Sequence, residues 1–146
     1  MKSRKGIGLL ELMLSLAIIS VIIIMATRYY DMAHLSRRVN DTVSMIQTLR
    51  SASERWLVSH PDYADISVEN LQERNLLPSD FGKNPFGGDI TIESGNDANN
   101  QIEITVTKIP VTACKTLLDR FKSVGTSPDN TCAGSSTDLV DYVVVF

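Results

Sequence analysis

The chain has 146 residues, 43% hydrophobic and 21% charged, and a formal net charge of −3. That length holds one domain of ordinary size, and the acidic balance argues against nucleic-acid binding by bulk electrostatics, which needs a basic footprint. It contains no GxSxG, phosphate-binding glycine loop or HExxH, and neither histidine stands near a plausible nucleophile in sequence, so no enzyme chemistry, metal or cofactor is expected.

Residues 1–6 carry Lys2, Arg4 and Lys5, and the twenty residues from Ile7 to Ala26 are interrupted only by Gly8, Glu11, Ser15 and Ser20. As a helix, such a run at about 1.5 Å per residue covers a hydrocarbon core of about 30 Å. The basic residues hold the N-terminus on the cytoplasmic side and send the chain beyond Ala26 outside. A secretory signal would have a shorter apolar region, with small residues after it. Here the small residue, Gly6, comes first. Glu11 is the anomaly: a carboxylate at mid-bilayer costs about 2.5–3.5 kcal/mol and marks a functional group in want of a partner.

Beyond residue 26 the pattern becomes one-sided. Met32, Leu35, Val39, Val43, Ile46, Leu49, Ser53 and Trp56 recur every three or four residues among charged positions, as in an amphipathic helix. No proline precedes Pro61 and no glycine falls between Gly8 and Gly82, so one helix is expected from about Ile7 to about Ser59, roughly 80 Å long. Val39 through Trp56 read as its contribution to a head. Tyr29 and Tyr30 suit the bilayer interface, and Arg37 and Arg38 a solvated or subunit-facing surface. His34 and His60 lack metal-like spacing and read as surface residues.

In the head, Ser67 can cap a short helix that buries Val68, Leu71 and Leu76 or Leu77 and ends at Pro78. "GKNPFGGD" reads as a turn with Phe86 as its anchor. "DITIE" and "QIEITVT" alternate at period two around the polar "SGNDANN", predicting an antiparallel hairpin. "TACKTLLDRFKSVG" places Leu117, Leu118 and Phe121 on one side of a helix that Gly125 can stop. "LVDYVVVF" closes the sequence as a strand, and its continuous apolar character predicts burial on both sides or a central place in the sheet. Asp129, Asp138 and Asp141 lack the spacing of an EF-hand, and no calcium site is expected.

Two cysteines occur, Cys114 and Cys132, with seventeen residues between them. They are either two unrelated buried thiols or one disulfide in an oxidising compartment, where closing such a loop is worth about 3 kcal/mol. The expected organisation is a leader at 1–6, a membrane segment at 7–26, its amphipathic continuation at 27–59 and a globular head at 60–146, of α+β class.

"RKGIGLLELMLSLAIISVII" resembles the N-terminus of type IV pilins and the related pseudopilins: a basic leader ending in glycine, then an apolar helix with glutamate fifth in the mature chain. The resemblance implies a pilin fold, with the apolar half of the helix protruding from a small antiparallel sheet, and cleavage between Gly6 and Ile7 by a prepilin peptidase that then methylates Ile7. The mature chain would carry eleven cations against seventeen acids, a net of −6. Glu11 would meet the N-terminal amine of a neighbouring subunit and favour one axial register, since a paired buried charge is tolerated where an unpaired one is not. Cys114 to Cys132 would correspond to the disulfide-bounded region near the pilin C-terminus, and "NPFGGDITI" resembles the turn and strand of several pilin heads.

The implied partners are further copies of the chain in a helical filament, the peptidase, the assembly platform of the inner membrane, and lipid before assembly. The protein would sit in the inner membrane with its head in the periplasm, then in an extracellular fibre. Ile7 and the proline-free helix resemble b-type pilins, whereas the six-residue leader resembles the other subclass. A pseudopilin of a type II secretion system or a minor pilin is the alternative. An enzyme or binding module on a simple tether would need neither Gly6 nor Glu11.

Overall fold

A computed structural model of the chain describes residues 8–95, 100–128, 131–135 and 138–146. The expected leader and cleavage junction, Lys2, Arg4, Lys5, Gly6 and Ile7, lie outside the described residues, as does Asp129. The chain divides into two compact units, Met1–Leu35 and Ser36–Phe146.

Helix α1, Leu9–Trp56, runs through both. Forty-eight residues without proline or glycine let every interior N–H find its carbonyl one turn back. In the second unit α1 buries Val39, Thr42, Ile46, Leu49, Ala52, Ser53 and Trp56. The stripe is therefore close to the expected one, although Ala52 joins it and Leu35 is only half-buried. Thr42 takes the fully buried position in place of the half-buried Val43, and it can do so because its hydroxyl donates to the Arg38 carbonyl at 2.9 Å. Met32 is exposed. The helix stops at Trp56, three residues short of Ser59, in a turn where the Ser59 and His60 N–H groups both donate to the Trp56 carbonyl.

Helix α2, Val68–Glu73, starts as expected: the Ser67 hydroxyl accepts from the Asn70 N–H at 3.1 Å. Pro78 does not end it. Asn75 turns left-handed at φ 55°, its N–H donates to the Gln72 carbonyl, and the Leu76 N–H reaches back to Leu71. That is the Schellman arrangement, with asparagine where glycine is commoner. Leu77 is buried and Leu76 half-buried.

Strands β1 (Ile90–Ser94) and β2 (Ile102–Pro110) form the expected antiparallel hairpin, with Ile90 opposite Val106 and Ser94 opposite Ile102. Helix α3, Val111–Phe121, comes directly after β2, and β3 is Leu139–Val145. The sheet order is β1-β2-β3. The central strand is thus β2, and β3 lies at an edge, contrary to the reading of its apolar run. Its burial alternates, with Tyr142 and Val144 inward and Val143 and Val145 half-buried. The outer edge of β3 is bridged by Thr126, which exchanges hydrogen bonds with Val145 in both directions.

The core of this unit is supplied by the α1 stripe, by Ile90, Ile92, Ile104 and Val106 of the sheet, and by Cys114 and Leu117 of α3, all buried. Each large aliphatic side chain so buried contributes about 1.5–3 kcal/mol. Leu118 is only half-buried. Gly125 stands beyond the end of α3, which is capped at Lys122, so its role is not to stop the helix. It is small because β3 passes it: a Cβ there would lie 2.7 Å from Val144 Cγ2.

Candidate assembly helix and head surface

The first unit is an apolar helix with no apolar partner among the described residues. The Gly8 carbonyl accepts from the N–H groups of Glu11 and Leu12 at 3.0 and 3.1 Å, which fixes the helix start. Leu9, Leu10, Leu12, Met13, Leu14, Leu16 and the isoleucines at 18, 19 and 22–24 are all exposed. A continuous apolar surface of that kind marks a contact with lipid or with other chains, and the helix is long and apolar enough to cross a membrane.

The small polar residues inside it satisfy themselves. Ser15 donates to the Leu12 carbonyl at 2.9 Å, Ser20 to Ala17 at 2.7 Å and Thr27 to Ile24 at 3.0 Å. No free hydroxyl donor is left to face lipid among these three. Glu11 differs: its exposed carboxylate forms no ion pair among the described residues, although its place in the first turn suits the positive end of the helix. Tyr29 and Tyr30 are exposed beyond the apolar run, and Tyr30 meets the His34 ring edge-on at 4.2 Å.

In the head, Cys114 of α3 is bonded to Cys132, with Cα atoms 5.6 Å apart. Both are buried, and Cys132 is held at φ 68°. The bond ties the segment before β3 to α3. Asp138 and Asp141 serve as local acceptors. The Asp138 carboxylate takes the Ser135 N–H at 2.8 Å, while Asp141 takes the Lys108 N–H at 3.2 Å, a donor freed by the β-bulge between Val106 and Ile109. Among the described residues no group of three or more potential ligands gathers to hold a metal.

Sequence reasoning missed the anchor of the 83–89 turn. Phe86 is only half-buried, under Arg38 at 6.0 Å. The buried residue is Asn84. Its Oδ1 accepts from the N–H groups of Phe86 and Gly88 at 2.8 and 3.2 Å, and its Nδ2 donates to the Thr107 carbonyl at 2.7 Å. The signal was an asparagine two residues ahead of the next turn N–H, the spacing of an Asx turn. His60 is also not a plain surface residue: it is half-buried and stacks on Trp56 at 3.8 Å, 5° from parallel.

Two buried polar atoms, Trp56 Nε1 and the Tyr142 hydroxyl, make no hydrogen bond of good geometry among the described residues. Burial pushes the Tyr142 phenol above its usual pKa, an effect that nearby Ser127 opposes.

An apolar N-terminal helix, a small three-stranded antiparallel sheet and a disulfide in the C-terminal region together make the pilin fold. Residues 36–143 match the family described as PilS N terminal, and residues 1–27 match the prokaryotic N-terminal methylation motif. The chain belongs to the type IV pilin family. It is similar to the major structural subunit of bundle-forming pilus from Escherichia coli O127:H6 (strain E2348/69 / EPEC), at 23% identity over 124 residues, covering 80% of this chain and 64% of that one. The same subunit from Escherichia coli O111:H- matches with the same figures. The chain therefore spans a little under two thirds of the length of the curated relatives it matches.

Proposed function

We propose that the chain is a structural subunit of a type IV pilus, stored in the inner membrane through α1 and polymerised into a homo-oligomeric surface fibre. The observation that carries this reading is a methylation motif matched over residues 1–27 followed by a pilin head matched over residues 36–143, with the large apolar side chains from Leu9 to Met32 exposed on α1. Monomers of soluble proteins do not leave such a surface bare. Lipid covers it before assembly, and neighbouring helices cover it afterwards. The similarity to major subunits favours this over a pseudopilin or a minor pilin. The role is structural, with no catalysis assigned.

In this reading a prepilin peptidase cuts between Gly6 and Ile7 and methylates the new amine, and an inner-membrane platform draws the subunit into the fibre. The head faces the periplasm first, which suits the Cys114–Cys132 bond. Glu11 pairs with the Ile7 amine of a neighbour, which removes the cost of an isolated carboxylate in an apolar bundle.

The test is to shear surface fibres from cells and weigh their main component. The expected mass is that of a chain beginning at methylated Ile7. A mature protein that retained residues 1–6, or that began after Ala26, would overturn the proposal.

A further inference from the structure

We propose that the two ends of the head's sheet dock head-to-tail between successive copies of the chain, the acidic β1–α2 end of one copy taking the basic outer face of α3 on the next. This rests on the pilus-subunit reading. The sheet order places β1 and β3 at opposite edges, and α3 packs on β3 and β2. The two surfaces therefore belong to different ends of one sheet.

The β1–α2 end carries like charges set against each other. Glu69 and Glu73 are exposed one turn apart on α2, and Glu93 lies directly opposite Glu103 in the β1–β2 register. Both spacings are destabilising for like charges. Among the described residues no cation relieves them: the ion pairs are Arg50–Glu54 and Lys83–Asp89. Arg74, beside Glu73 in sequence, lies over the Trp56 ring at 5.0 Å. Between Glu69 and Glu93 runs a groove of about 490 Å³, lined by Val68, Phe81, Ile90 and Ile92 and by the Lys83–Asp89 ion pair, which leaves it with a net acidic lining.

The other end carries the complement. Lys115, Arg120 and Lys122 are exposed on and just after α3, with Asp119 the one acid among them, and none is paired with a carboxylate among the described residues. Arg120 reaches only the Asn40 Oδ1 atom, at 3.4 Å.

A two-fold contact through the β1 end would set Glu93 against Glu93, so charge selects a second copy presented by its other end. Such a contact is heterologous and does not close on itself. It repeats along a fibre. Each step relieves two unfavourable carboxylate pairs with lysine and arginine that the isolated head leaves unpartnered.

The experiment uses the full chain in fibre-forming cells, with processed membrane protein and sheared fibre measured together. Glu69→Lys with Glu93→Lys is expected to lower fibre yield about tenfold or more, as is Lys115→Glu with Lys122→Glu, each with normal processing. Combining all four reversals sets a β1–α2 end with no net charge, because Glu73 and Glu103 remain, against an acidic α3 face, so fibre yield rises above that of Lys115→Glu with Lys122→Glu, where acid faces acid. Neutral Glu69→Gln with Glu93→Gln guards against misfolding: it raises the head's melting temperature by relieving repulsion while lowering fibre yield. The proposal is overturned if either reversal pair assembles like wild type, or if the fourfold variant does no better than Lys115→Glu with Lys122→Glu. Absence of the wild-type chain from fibres would instead overturn the pilus reading on which it rests.

Discussion

Asn84 Nδ2 donates to the carbonyl of Thr107 at 2.7 Å, across 23 positions of sequence. The same Thr107 receives the Asp89 N–H on its hydroxyl at 2.8 Å and gives its own N–H to the Asp89 carbonyl at 2.9 Å. One amide and one threonine thus fasten the turn to the hairpin it precedes. Buried amides held on both ends of the side chain are costly to remove, because their partners stay behind unsatisfied.

Asn84→Ala should destabilise the head by about 2–4 kcal/mol, since three backbone partners lose their bonds at a buried position. Asp is the discriminating substitution: it keeps the acceptor for Phe86 and Gly88 but turns a carboxylate on the Thr107 carbonyl. Urea unfolding of a fragment beginning near Ser36 measures both, and an Asp variant as stable as wild type would mean that the Thr107 bond contributes nothing.

Gly125→Ala tests the close passage of β3. The added methyl would meet Val144 Cγ2 at 2.7 Å and the Val145 carbonyl at 3.0 Å, so the strand or the loop must give way. The expected loss is about 1–3 kcal/mol, the usual cost of overpacking. Thermal unfolding of the same fragment reads it.

Tyr142 gives the head an alkaline limit. Burial raises its pKa, so the folded head favours the neutral phenol, and this contribution is fully present below the unfolded value of about 10. Above that value the unfolded chain ionises while the folded one does not. Stability therefore falls as pH rises through the folded pKa. Tyr142→Phe should flatten that fall while changing stability near neutrality by no more than about 1 kcal/mol, since the hydroxyl has no good hydrogen bond to lose. Denaturation midpoints at pH 7 and above pH 10 make the comparison.

Removing the disulfide by Cys114→Ser with Cys132→Ser should cost about 3 kcal/mol, a large share of the 5–15 kcal/mol or so that holds a small domain. In the proposed reading, processing and membrane insertion use only the N-terminal segment and should be unchanged, whereas fibres should become scarce or fragile. Equal fibre yield with an unchanged melting temperature would show that the bond does not support the head.

Glu11→Val should insert as well as wild type or better, because a charge leaves the bilayer, and should assemble poorly. The opposite signs separate insertion from assembly. Wild-type fibre yield from this variant would remove Glu11 from the register.

Much of the fold was legible because periodicity is a local signal. The α1 stripe, the Ser67 cap and the β1–β2 hairpin each arise from residues within a turn or two of one another. The features that were misread depend on distant partners. The apolar run 142–146 looked central, but strand order is set by which edge the chain reaches, and β2 had already taken the middle. Pro78 looked like a helix stop, yet Asn75 ends α2 first by adopting a conformation that sequence only weakly favours in asparagine. Phe86 outranked Asn84 as an anchor because size is visible in a sequence and a hydrogen-bonding partner 23 positions away is not. For the assembly segment, Glu11 stood out as a charge in an apolar run. The like-charged Glu93 and Glu103 became neighbours only through the strand register.

The bridge from Thr126 to Val145 bears on how these chains tolerate crowding. In the proposed reading, stored subunits would share a membrane plane, where bare strand edges invite fusion of one sheet to the next. At Val145 the outer edge of β3 already has both its N–H and its C=O engaged, so no foreign strand finds a template there. At the other edge, β1 points Glu93 outward, and a second β1 approaching it would bring the same charge. Occupancy at Val145 and the outward charge of Glu93 thus both work against edge-to-edge pairing, which in the proposed reading would keep stored heads apart before they are drawn into order.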